Sequence, residues 1–164
     1  MADSIGTTIL KAMETRLKLA TVTIDGEAFT PPTGLVVERE RVGVIQPKHV
    51  ANGPLVVIHR TGQEPTVRNH HKSRMLLRVM DVAIVISASA DSMKNSEALD
   101  PPANWVVQAL QSEPTLNGLA HWISEEGEED LYTIFEDSAA IIAAREMKLQ
   151  IHFHTRTENP EVRE

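Results

Sequence analysis

Cysteine is absent from this chain, and that absence excludes disulfide staples, thiolate metal centres and cysteine nucleophiles. It also fits a reducing compartment. Aromatic residues are scarce at 4% of the chain, and none lies between Phe29 and Trp105. A segment without aromatic side chains has nothing on which to stack nucleic-acid bases. No apolar run approaches the roughly 20 residues that a helix needs to cross a bilayer, so no membrane span is expected. The first residues, Met1-Ala-Asp-Ser, show no basic leader followed by an apolar stretch, so no signal peptide is expected. Internal repeats and low-complexity tracts are missing too, which argues against a solenoid. Phosphate-binding loops, dinucleotide fingerprints, His-Glu-x-x-His helices and nucleophile elbows are likewise missing, and no catalytic residue is assigned.

What remains is a chain of 164 residues, 41% hydrophobic and 24% charged, long enough to bury a core without a metal or disulfide. Its formal net charge of −7 is unevenly placed: residues 1–82 carry +3 and residues 83–164 carry −10. Opposed halves of this kind provide complementary faces for head-to-tail association of copies, or simply a solvated acidic flank. An acidic chain is a poor general binder of duplex DNA, whose affinity depends on neutralising phosphates.

The order of elements follows from hydropathy period and breakers. Ser4 (or Asp3) can cap a helix whose apolar stripe is Ile5, Ile9, Ala12, Met13 and Leu17. Thr21 and the residues after it favour an extended exit, and Asp25-Gly26 marks a turn. A short strand is expected within 35–42. Two strands follow at 54–59 and 74–87, joined by a 13-residue link (61–73), and the second is long enough that it should bend, bulge or project. Asp100-Pro101-Pro102 can open a helix, with Asp100 as its cap and Trp105, Val106, Ala109 and Leu110 as its stripe. Leu116, Leu119, Ala120 and Ile123 suggest a second short helix, 125–130 an acidic loop, and 131–135 a strand. Met147, Leu149, Ile151 and Phe153 alternate with polar residues and give the cleanest strand signal in the chain. The expected fold class is α+β: a mixed or antiparallel sheet flanked by helices on one face, with a protruding long hairpin. One domain is expected over 1–157, its arm near 59–78, followed by a flexible polar tail at 158–164.

Two constellations carry chemistry of a kind. The segment from Arg60 to Arg78 holds Arg60, Arg68, Lys72, Arg74 and Arg78 against a single intervening Glu64. These five cations are the candidate interaction residues, suited to an acidic neighbour or to nucleic acid. They also suit a hairpin whose charges merely protect its edges. His152 and His154, two apart on a strand, project from one face and could supply two metal ligands. A third would have to come from His70, His71 or a carboxylate. Polar filling of an amphipathic strand is the alternative.

Taken together, the N-terminal helix with Ile5-x-x-x-Ile9, the run Pro-Leu-Val-Val-Ile at 54–58, the long strand from Arg74 and the helix around Trp105 form a recognisable series. It continues through Leu116-x-Gly118-Leu119 and closes on Lys-Leu-Gln-Ile-His-Phe-His-Thr at 148–155. This series resembles the tail terminator family of long-tailed bacteriophages, the proteins similar to minor tail protein U. The resemblance implies a structural virion protein without catalytic residues or cofactors. It would form a homo-oligomeric ring, usually a hexamer, that stops growth of the tail tube and joins it to the head connector. The implied partners are other copies of the chain, the tail tube protein and the connector or neck protein, with viral DNA passing through the ring unread and no membrane involved. The implied setting is the virion tail or neck, assembled in the host bacterial cytoplasm. Another neck or connector adaptor is the alternative within that class, and a small metal-binding domain using His152 and His154 is the alternative outside it.

Overall fold

A computed structural model describes residues 4–66, 75–90, 97–135 and 140–156. Helix α1 (Ile5–Leu17) begins where expected: the Ser4 hydroxyl accepts the Thr7 backbone N–H at 3.2 Å, satisfying one of the orphan donors of the first turn. Its buried stripe is Ile5, Ile9, Leu10, Met13 and Leu17, one face of a 3.6-residue period. Strands β1 (Val22–Ile24) and β2 (Glu27–Phe29) form a small hairpin. Asp25 and Gly26, both at positive φ, make its two-residue turn, the geometry that matches strand twist.

The main sheet has five strands in the order β3-β4-β5-β7-β6. They are β3 (Val36–Arg39), β4 (Leu55–Thr66), β5 (Met75–Ala90), β6 (Trp122–Phe135) and β7 (Ala140–Arg156). All neighbours are antiparallel except β3 and β4, so the sheet is mixed. Parallel pairing of β3 with β4 obliges residues 40–54 to cross over the sheet. Two glycines permit the close start of that pair. Gly34, at φ +76°, lies against the backbone of Asn52 and Gly53, and a Cβ there would overlap the Asn52 carbonyl oxygen.

The core lies on one face of this sheet. Val56 and Ile58 of β4, Met80, Val82, Ile84 and Ile86 of β5, and Met147, Leu149, Ile151 and Phe153 of β7 point to it. They pack with the apolar stripes of α1 and of α2 (Asp100–Gln111). The α2 stripe contains Trp105, Val106, Ala109 and Leu110, as its spacing predicts. Trp105 is fully buried, and its indole N–H donates to the Leu17 carbonyl at 3.0 Å, tying α2 to the end of α1. On the opposite face a small cluster forms, in which Val50 and Ile45 of the crossover cover Leu55, Val57 and Ile142.

Several expectations are corrected. The link of 61–73 is shorter, because β4 runs on to Thr66 and stays paired with β5 as far as Leu77. A one-residue slip between Arg60 and Gly62 lets the strand bend without ending. The short helix through Leu116 and Ile123 does not form. Leu116, Asn117 and Gly118 all take positive φ, which no right-handed helix can continue, and Ile123 belongs to β6. The acidic loop of 125–130 is strand: β6 passes through it with a bulge between Glu125 and Gly127. An edge strand tolerates such charge because one side of it meets water. Asp100 is not the cap of α2. Leu99 holds that position, and Asp100 opens the helix with the two prolines in its first turn. The expected tail, residues 158–164, lies outside the described residues, and no described helix is long and apolar enough to cross a membrane.

Candidate interaction surface

Of the five candidate cations, Arg60 and Arg78 are placed, while Arg68, Lys72 and Arg74 lie outside the described residues. Arg60 stands opposite Val82, and Arg78 lies four residues from Val82 along β5, roughly 13 Å away at strand rise. Both belong to the helix-side face: Arg60 lies past Ile58, the last residue described as buried on β4, whereas Arg78 stands opposite fully buried Phe153. Arg60 is exposed, and its backbone N–H donates to Glu40 Oε1 at 3.0 Å. Arg78 is half-buried, its Nε donating at 2.8 Å to the hydroxyl of fully buried Thr155 on β7. Its guanidinium therefore ties β5 to β7.

His152 and His154 do share a face, the one turned away from the helices. There the Trp122 ring, 48% exposed, stacks on His152 with centroids 4.3 Å apart. His121 Nε2 meets His154 Nδ1 at 2.5 Å. The His152 pKa is lowered by burial, partly offset by Glu126, and its Nδ1 is buried without a hydrogen-bond partner among the described residues. Among the described residues no three histidine or carboxylate groups gather as a metal site, and His70 and His71 lie outside them. The pair is thus spent on an aromatic cluster, with His121 as the member the sequence reading missed. His121 precedes the strand, so no period-two pattern could place it beside His154.

The sheet itself supplies more surface than any pocket. Its two outer edges differ in chemistry. On the β6 side the outer edge of a 14-residue strand has no paired neighbour among the described residues and carries Glu125, Glu126, Glu128, Glu129 and Asp130. Arg145 on β7 offsets part of that charge. Its guanidinium bonds Asp130 through Nε at 2.7 Å and Nη2 at 3.1 Å, and reaches Asp100 at 3.2 Å. Held chiefly by Asp130, its pKa is raised against the cost of burial. The opposite edge is formed by β3 and, past its end, by β4. It is flanked by exposed Lys48 and Arg60 and by exposed Glu40, while Arg39 pairs with Glu14 and Arg41 with Glu38.

No family model matches this chain, and no curated protein sequence matches it.

Proposed function

We propose that this chain is a ring-forming subunit at the head–tail junction of a long-tailed bacteriophage, where it terminates the tail tube and joins it to the head connector. One observation carries the reading: strand β4 runs on, still paired, past its buried part. The last residue described as buried on β4 is Ile58, and Arg60 and Thr61 are exposed, yet the strand stays paired with β5 as far as Thr66, roughly 26 Å further at strand rise. Ladder beyond the covered part buys no core, so its use lies in contact with other chains. Two open edges of unlike charge suit copies joined head to tail, and such contacts close into a ring when the rotation permits. The order helix, paired strands, helix, paired strands also supports the family resemblance. In this reading the ring is a hexamer, the tube protein meets one of its faces and the connector the other, and the DNA passes through without sequence reading. The alternative chemistry of the histidine pair has less support, since the described residues offer it no third ligand.

The test is electron microscopy and light scattering of the purified chain, alone and with tail tubes. Closed rings are expected, seated at the tube end. A particle that stays monomeric under both conditions overturns the proposal, and a ring one layer removed from the tube end assigns the chain to the connector instead.

A further inference from the structure

Three large apolar side chains are left exposed at the β3 edge: Val36 on the strand itself, at 46%, and Val42 and Val44 in the loop that follows, at 96% and 73%. Val42 and Val44 leave most of their side-chain surface to water within their own chain. At the other edge of the same sheet lies a recess of about 140 Å³ between α2 and strands β6 and β7. Val106, Leu110, Ile123, Met147 and Leu149 line it, with Gln111 and Glu125 also in its wall. The charges agree with the shapes. Lys48 and Arg60 are exposed on the valine side, outnumbering exposed Glu40, and Glu125 of the acidic strand β6 stands in the wall of the recess.

We infer that the loop carrying Val42 and Val44 docks into the α2–β6 recess of a second copy of this chain. The occupant is fixed by three features that point the same way: an apolar projection left to water in its own chain, an apolar hollow of side-chain size, and opposite charge around each. Because projection and hollow sit on opposite edges, no two copies can satisfy each other fully. Each copy gives its loop to one neighbour and its recess to another, which is a heterologous contact. Closure of that chain of contacts rests on the ring reading above. The contact itself rests on the two edges.

The lack of cysteine makes the test clean. Val44→Cys and Gln111→Cys are introduced together, both at exposed positions. Mild oxidation of the assembled protein is expected to give a ladder of disulfide-linked species up to the size of the ring, while either single variant gives no ladder. Rings without a ladder overturn the docking contact and leave the ring intact. Absence of any assembly, alone or with tail tubes, overturns the ring and the contact with it. Val44→Asp provides the second measurement. The concentration for half-assembly is expected to rise at least tenfold with the thermal melt of the chain unchanged, and assembly equal to that of the parent chain overturns the inference.

Discussion

At the scale of single residues, His152 shows how burial and neighbours set protonation. Its ring is covered by Trp122, and its buried Nδ1 has no acceptor among the described residues, so the protonated ring would carry an unsatisfied donor. Burial thus holds the folded-state pKa below the ordinary value of 6.5. The consequence for stability has a definite sign. As pH falls through about 6.5 the unfolded chain takes up a proton that the folded chain resists, so stability is full above that pH and declines below it. His49, lowered by burial and by Arg41 and Lys48, acts in the same direction. The urea midpoint of the parent chain is therefore expected to be lower at pH 5.5 than at pH 7.5. His152→Gln, which removes the titrating ring, is expected to reduce the difference between the two midpoints. An unchanged difference would show that His152 titrates alike in both states.

At the scale of elements, the parts legible in the sequence are those where one local rule acts alone. The Ser4 cap, the Asp25-Gly26 turn and the stripe around Trp105 each depend on a few adjacent residues, and each forms where its pattern lies. Strand β6 was illegible for a physical reason. Five carboxylates and a glycine lower strand propensity, and pairing with β7 overrides that cost because Asp130 stands opposite Arg145. No window of β6 contains Arg145. Leu116 points the opposite way, since its apolar spacing suggests a helix, whereas Leu116, buried in the core, and Asn117 and Gly118 after it all take positive φ and exclude one. The β3–β4 pair gives a sharper test of long-range dictation. Gly34 combines a left-handed backbone with contact to the Asn52 carbonyl, so Gly34→Ala must both strain φ and displace the Asn52–Gly53 backbone that leads into β4. A loss of at least about 2 kcal/mol is expected in urea unfolding, from backbone strain and displaced packing together. Gly26→Ala, strained in φ but with open space around its Cβ, is expected to cost less, and equal costs would mean that the close approach adds nothing.

At the scale of the whole molecule, the unequal halves of the charge acquire a place. The excess of carboxylates in the second half of the chain includes the outer edge of β6, and the cations of the first half include Lys48 and Arg60 toward the opposite edge. Sequence made the opposition visible but not its geometry, because only the strand order β3-β4-β5-β7-β6 sets the two groups on opposite sides. In the proposed assembly such an arrangement acts first on encounter. Opposite edges attract over about a Debye length, roughly 10 Å at 0.1 M salt and roughly 3 Å at 1 M, whereas the valines act only on contact. Raising the salt should therefore slow assembly far more than it speeds dissociation. In stopped-flow light scattering the association rate is expected to fall at least tenfold between 0.05 and 0.5 M salt, while the dissociation rate of preformed assemblies changes by less than threefold. Val44→Asp, which leaves both charged edges in place, is expected to reverse the pattern, with dissociation much faster and the salt dependence of association retained. An association rate independent of salt would remove the charged edges from the encounter and leave the apolar loop as the whole basis of the contact.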